Sequence, residues 1–96
     1  MIDLTHQPLD PESVTAQVKR DTNGAVVTFL GTTRDNFEGK RVVILEYEAF
    51  PEMAVKKLEE IAQQLKAEFG IDDIAIAHRI GSVPIGEISL VVAVAS

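Results

Sequence analysis

Two hydroxyls and a guanidinium follow one another directly after an apolar run, and they are the first candidates for chemistry. The run spans residues 25–30 and stops at Gly31, and Thr32, Thr33 and Arg34 come next. A guanidinium binds phosphate or carboxylate through two parallel hydrogen bonds, and hydroxyls add further donors. The pattern therefore predicts an anion-binding loop at the end of a buried strand, since loops on a rigid scaffold often carry binding groups.

The alternative interpretation of Arg34 is an exposed arginine paired with Asp35 or Glu38, because most arginines lie at protein surfaces. Gly31 and Gly39 do not form a phosphate loop, since the sequence contains neither GxGxxG nor GxxxxGK followed by Ser or Thr. Both interpretations of Arg34 stay open at this point.

His78 and Arg79, at the end of another apolar segment, are weaker candidates for substrate binding. A lone histidine in such a place is often a hydrogen-bonded structural residue, and this alternative also stays open. The other histidine is His6, and the chain has no cysteine and no HxxxH or HExxH spacing. We therefore expect no metal site and no cofactor.

Two further groups carry less weight. Glu46 and Glu48 lie on one side of a predicted strand and could act as an acid and a base, but a solvent-facing position is the simpler interpretation. The serines lack the context of an activated nucleophile. We assign no catalytic residue among positions 1–96.

The elements that position these residues are predicted in the order β-α-β-β-α-β-β, an α+β class. Strands are predicted at 2–5, about 24–31, about 41–49, 74–79 and 87–95, with a loop at 81–86. A helix capped by Asp10 should end near Arg20, and a longer helix should run over 51–69 and stop at Gly70.

The long helix and the last strand predict how the layers pack. One buried stripe is expected from the apolar residues that recur every three or four positions, namely Ala54, Leu58, Ile61, Leu65 and Phe69. Residues 88–95 are the most apolar segment and indicate a central strand. If both helices cover one face of a single sheet, the other face is open, and a partner or a further segment of chain must cover it.

Composition limits the class of protein. The chain has 96 residues, a formal net charge of −6 and no cysteine, which is typical of one small cytoplasmic domain. The negative charge argues against general nucleic-acid binding. No apolar run reaches the roughly 20 residues that a membrane span needs, and the polar N-terminus does not resemble a signal peptide.

Four sequence patterns occur together and in order: GTTRDN at 31–36, LEYEA at 45–49, HRIG at 78–81 and VAVAS at 92–96. Their combination, within residues 24–96, resembles the large, catalytic subunit of molybdopterin synthase. The resemblance implies an α/β hammerhead fold with a ferredoxin-like core, and a homodimer at the centre of a heterotetramer.

The resemblance also implies an activity. Such subunits convert cyclic pyranopterin monophosphate into molybdopterin by adding two dithiolene sulfurs, which a ubiquitin-like small subunit delivers as a thiocarboxylate on its C-terminal Gly-Gly tail. Thr32, Thr33 and Arg34 fall where the family binds substrate, and Arg34 would hold the phosphate or another anionic part of the pterin.

One departure from the family pattern concerns the catalytic lysines. The resemblance puts them in a helix and a lysine-rich stretch after the last strand, beyond Ser96. We therefore expect the natural protein to be longer and a protein ending at Ser96 to be inactive. The alternative function is a non-catalytic, dimeric ferredoxin-like module that binds a small anion or a partner's tail.

Overall fold

The computed structural model describes residues 1–34, 36–37, 40–41, 44–47 and 51–96, with the side chains of 1–34 and 51–96. The elements in this part of the chain are β1 (Ile2–Thr5), α1 (Pro11–Ala16), β2 (Val26–Thr32), β3 (Asn36–Phe37), β4 (Lys40–Arg41), β5 (Ile44–Tyr47), α2 (Pro51–Phe69), β6 (Asp73–Arg79), β7 (Gly81–Pro84) and β8 (Ile88–Ala95). The α+β class is confirmed. The predicted loop at 81–86 is wrong in part, because β7 lies within it and pairs with β5.

The main sheet has the strand order β1-β6-β8-β2. β8 runs antiparallel to both of its neighbours, β6 and β2, and β1 runs parallel to β6. The central position predicted for the last strand is confirmed, and its apolar composition follows from strands on both sides and a helix on each face. β3 pairs with β4 in a separate two-stranded sheet.

The α1 face of the sheet holds a tightly packed core. Helix α1 begins at Pro11, with the Asp10 carboxylate accepting from the Glu12 amide as predicted for a cap. It ends at Ala16, earlier than expected, yet Val18 in the following turn is 1% exposed. The core cluster on this face comprises Val14, Val18, Ala75, Ala77, Val91, Ala93 and Ala95. Four of these are alanines, whose small side chains let α1 approach the sheet closely.

The opposite face is covered by α2. Because successive strand residues point to opposite faces, Ile74 and Ile76 face away from α1, and they pack with Ala62 of α2. The expectation that both helices cover one face is therefore wrong. The predicted stripe on α2 is also shifted, since Ala62 is buried while Ile61 is 37% and Phe69 is 66% exposed. Leu58 and Leu65 do pack against this cluster.

Strand β2 forms one edge of the main sheet and exposes its apolar side chains. Val26 and Leu30 are paired with residues of the α1 face, and Val27 and Phe29 with residues of the α2 face. All four are exposed, Phe29 most at 60%. The open sheet face expected from the sequence is therefore wrong, because a helix packs on each face of the sheet, and the exposed apolar surface lies at this edge instead. Within the part of the chain that the structure describes, no helix is long and apolar enough to cross a membrane.

Candidate functional site

The Thr32–Arg34 segment lies where β2 leaves the main sheet. The register between β2 and β8 shifts here, since Gly31 is opposite Leu90 whereas Thr32 is opposite Ile88. Ser89 is the extra residue of this β-bulge, and its hydroxyl donates to the Gly31 carbonyl over 3.3 Å. The bulge redirects the chain immediately before the predicted anion-binding residues.

Thr33 anchors the segment to the turn between β7 and β8. Its amide donates to the Glu87 carbonyl at 3.1 Å, and its own carbonyl accepts from the Gly86 amide at 2.9 Å. The residue is 2% exposed. Its Oγ1 is buried and has no hydrogen-bond partner among the described residues, so this hydroxyl contributes no direct contact to the surface. Thr33 fixes the backbone at this point.

Thr32 and Arg34, on either side of this anchor, are both exposed. The proposed alternative partners of Arg34, Asp35 and Glu38, lie outside the described residues. Three surface clefts are lined by residues other than Thr32 and Arg34. They lie between the N-terminus and α2, between β1 and α1, and between α1 and β2. In the described part of the chain, Arg34 is exposed, and it directly follows a residue whose backbone is hydrogen-bonded on both sides.

Arg79, the last residue of β6, reaches the same turn from the sheet. Its Nη1 donates to Glu87 Oε1 at 2.7 Å. The Arg79 side chain is 12% exposed, whereas that of Glu87 is 49% exposed. Glu87 neutralises the guanidinium, and the buried Arg79 Nε has no hydrogen-bond partner within the described residues.

His78 is part of the sheet framework. Its Nδ1 lies 2.8 Å from the Ser89 carbonyl oxygen, which can only accept, so Nδ1 carries the hydrogen in this contact. Since His78 is opposite Leu90 in the ladder, this hydrogen bond ties the ring to the bulged part of β8. The contact favours the structural interpretation of His78 that the sequence left open.

Comparison with known proteins identifies the family. The family model described as "MoaE protein" matches residues 4–96, nearly the whole chain.

The chain belongs to the MoaE family.

Curated relatives of this MoaE chain carry the name molybdopterin synthase catalytic subunit. The protein of Aspergillus niger is 45% identical over 95 residues, which cover 99% of this chain and 53% of the relative. Molybdopterin synthase catalytic subunit 1 of Aedes aegypti is 46% identical over 94 residues, which cover 97% of this chain and 61% of the relative. The chain thus spans between about half and three-fifths of the length of these relatives.

Solved structures agree with the MoaE assignment. Molybdopterin synthase from Staphylococcus aureus matches with a TM-score of 0.91 and 33% identity, over 98% of this chain and 69% of that one. A chain from the complex of subunits 1 and 2 of the molybdopterin-converting factor of Helicobacter pylori matches with a TM-score of 0.71 and 19% identity, over 99% of this chain and 64% of that one. At that identity the second likeness shows the fold alone.

Seen on the MoaE fold, the five residues singled out from the sequence separate into two groups. Thr33 and Arg79 meet at Glu87, one through its backbone and the other through its side chain, and Thr32 and Arg34 flank Thr33 along the chain. His78 contacts the main chain of Ser89 instead. Sequence reasoning missed the role of Glu87. The available signal was its place directly after Gly86, at the start of a strand, eight residues after an arginine that ends another.

The side chains of Glu46 and Glu48, which the sequence suggested as a pair of carboxylates, lie outside the part of the chain that the structure describes. Glu46 lies in β5, but its side chain is outside the described ones, and Glu48 is outside the described residues altogether. Their interpretation as solvent-facing groups stays a prediction.

Proposed function

We propose that this chain supplies the substrate-binding framework of a molybdopterin synthase catalytic subunit. The reaction is the conversion of cyclic pyranopterin monophosphate into molybdopterin by the addition of two dithiolene sulfurs, a sulfur transfer. The support is membership of the MoaE family together with the names of relatives that are about 45% identical. We also propose a cytoplasmic location, in keeping with the acidic, cysteine-free composition.

In this proposal Arg34 binds the anionic part of the substrate, with Thr32 as a neighbouring donor and Thr33 as the anchor. The observation that carries the proposal is an exposed guanidinium that directly follows a residue 2% exposed and hydrogen-bonded through both its amide and its carbonyl. A cation held on a fixed backbone loses less conformational freedom when it binds an anion, so its hydrogen bonds contribute more to affinity. The Thr33 hydroxyl, which is buried, is not proposed as a substrate contact.

The sulfur donor in this proposal is the C-terminal thiocarboxylate of a ubiquitin-like small subunit. A sulfur that arrives in this form requires no cysteine from the chain that binds the substrate, and this chain has none. The catalytic lysines are proposed to come from outside residues 1–96, so no residue of this chain is assigned as catalytic.

We propose further that two copies of the chain associate through the surface of β2. This strand is one edge of the main sheet and has four exposed large apolar side chains within seven residues. An exposed apolar edge strand is a ready template for pairing, and a two-fold symmetric pair places the same strand on both sides of the interface.

The experiment that tests the substrate role is calorimetric titration of cyclic pyranopterin monophosphate into the whole protein and into Arg34→Ala. Loss of a charge-assisted hydrogen bond worth roughly 1.5–3 kcal/mol should weaken binding about 10- to 100-fold. Arg20→Ala is the matched control and should bind as the unaltered protein does, because Arg20 is an exposed arginine between α1 and β2 that pairs with Asp73, at the other end of β6 from Arg79. Equal affinities for Arg34→Ala and Arg20→Ala would refute the role of Arg34.

A second measurement separates the enzyme from the non-catalytic module. The whole protein is mixed with the substrate and the thiocarboxylated small subunit, and molybdopterin is measured. If the unaltered protein forms molybdopterin and the amount formed falls in Arg34→Ala, the result supports a synthase subunit. If the protein binds the substrate but forms no molybdopterin, the result favours the non-catalytic binding module.

A further inference from the structure

We propose that the Arg79–Glu87 ion pair positions Arg34, so that Arg79 and Glu87 act on the substrate only through the Thr33–Arg34 backbone. This inference rests on the proposed function for its substrate, but its structural basis can be measured separately. It assigns Arg79 a positioning role, in place of the direct substrate contact that the sequence suggested.

Glu87 is the common point of two sets of contacts. Its carboxylate accepts from Arg79 Nη1 at 2.7 Å, while its backbone carbonyl accepts from the Thr33 amide at 3.1 Å. The next residue of the Thr33 segment is Arg34 itself. A displacement of Glu87 therefore moves the backbone that carries the proposed substrate-binding guanidinium.

The turn before β8 adds a second attachment to the same segment. The Glu87 amide donates to the Pro84 carbonyl at 3.1 Å, which closes a four-residue turn, and the Gly86 amide donates to the Thr33 carbonyl at 2.9 Å. Gly86 has a φ of 82°, in the left-handed region that favours glycine, and this conformation directs its amide toward Thr33. Thr33 is consequently held at both its amide and its carbonyl by two consecutive residues of one turn.

Arg79 connects this turn to the rigid part of the protein. It ends β6, it is paired with Thr5 of the parallel strand β1, and the amide of the next residue, Ile80, donates to the Thr5 carbonyl at 2.8 Å. A guanidinium keeps its charge at any ordinary pH, so one that is 12% exposed needs a carboxylate partner. The pair thus fixes the turn to the sheet.

The same geometry argues against Arg79 as a substrate contact. Its guanidinium is mostly buried and already donates to Glu87, whereas Arg34 is exposed. An anion would have to displace Glu87 to reach the buried cation. Among the described residues at this anchor, the exposed cation is Arg34.

The first measurement is the affinity of the whole protein for cyclic pyranopterin monophosphate after changes at Glu87. Glu87→Ala should weaken binding about tenfold, since a misplacement of about 1 Å is enough to disturb a substrate contact severely. Glu87→Gln should weaken it less, about threefold, because the amide oxygen still accepts from Arg79. The matched control is Asp73→Asn, which disrupts an ion pair at the other end of β6 and should leave the affinity unchanged.

Combination with Arg34→Ala separates positioning from a general loss of stability. If Glu87 acts through Arg34, Glu87→Gln should change the affinity less than 1.5-fold in the Arg34→Ala protein. An equal loss with and without Arg34 would overturn the inference. So would an unchanged affinity for both Glu87 variants while Arg34→Ala binds weakly, a result that leaves the proposed function intact.

Amide hydrogen exchange tests the anchor without any substrate. Exchange at the Thr33 and Gly86 amides should be about tenfold faster in Glu87→Ala than in Asp73→Asn, because only the first variant removes the contact with Arg79 and loosens the turn. Unchanged protection at both amides would overturn the inference. If the amides lose protection but Arg34→Ala binds the pterin normally, the anchoring is supported and the proposed substrate role of Arg34 fails.

Discussion

The hydroxyl oxygen of Thr15 lies 2.7 Å from that of Thr28, which joins α1 to the edge strand β2. Thr15 Oγ1 also donates to the Pro11 carbonyl at 2.8 Å. Because a hydroxyl has a single hydrogen, Thr15 must accept from Thr28 in the contact between the two side chains. The bond within the helix thus sets the direction of the bond between helix and sheet.

Replacement of Thr28 by valine should lower the free energy of unfolding by about 1 kcal/mol, the usual net contribution of a partly buried hydrogen bond. Valine keeps the shape but removes the donor, and Thr15 still donates to Pro11. Urea denaturation of the whole protein measures the effect. In a Thr15→Val background, where the acceptor is already missing, Thr28→Val should change stability much less. The same loss in both backgrounds would show that the two hydroxyls do not interact.

Acid should weaken the connection between β6 and the segment that links α1 to β2. The Asn23 side-chain amide donates to Asp73 at 2.8 Å and the Arg20 Nε donates to it at 3.0 Å, and these contacts hold the pKa of the Asp73 carboxyl below its usual value. A lowered pKa means that this contribution to stability is fully present above the ordinary carboxyl pKa of about 4, and is lost as the pH falls through the lowered pKa.

The measurement is the free energy of unfolding at pH 7 and at stepwise lower pH, for the unaltered protein and for Asp73→Asn. The variant should be less stable at pH 7, and its stability should fall less on acidification. Asn23→Ala should show an intermediate dependence, because it removes the first cause of the shift and leaves Arg20 in place. If Asp73→Asn kept the full pH dependence of the unaltered protein, Asp73 would not be the group whose protonation lowers the stability in acid.

Gly81 should tolerate alanine less well than Gly70. Both have positive φ angles, 86° and 66°, so either substitution should cost about 1–2 kcal/mol in backbone strain. A Cβ at Gly81 would also lie 3.1 Å from His6 Cδ2, whereas one at Gly70 would have no neighbour within 4 Å. Displacement of the His6 side chain should add roughly 0.5–1.5 kcal/mol. Thermal denaturation of both variants checks the order. In a His6→Ala background the extra cost of Gly81→Ala should disappear, so that the two glycine substitutions destabilise the protein about equally.

Local signals located both ends of α2 but not the end of α1, which lies at Ala16 instead of near Arg20, and long-range pairing determined the rest. Pro51 and Gly70 delimited α2 correctly, because proline and glycine act on the backbone at their own positions. The face that α2 covers depends on which strands are neighbours in the sheet, and no local pattern specifies that arrangement. For the same reason the exposed side of α2 was assigned wrongly at Phe69.

The candidate site shows the same division. The apolar run and Gly31 located the end of β2, but the bulge at Ser89 exists only once β2 pairs with β8. Thr33 was therefore predicted as a binding hydroxyl, whereas it is buried and anchors the chain. The proposed substrate roles of Thr32 and Arg34 stay predictions, and they rest on the resemblance and on exposure.

Phe29→Glu should disrupt the proposed association of two chains through β2. Phe29 is 60% exposed, so a charge there should leave the fold of one chain intact, while in a two-fold interface it would bring like charges together and bury them. Sedimentation velocity of the whole protein should show a dimer that dissociates at least tenfold more readily in the variant. Met53→Glu adds the same charge at a side chain that is 72% exposed on α2, and it should not alter the dimer. A dimer equally stable in both variants would place the interface elsewhere, and a monomer in the unaltered protein would refute the association itself.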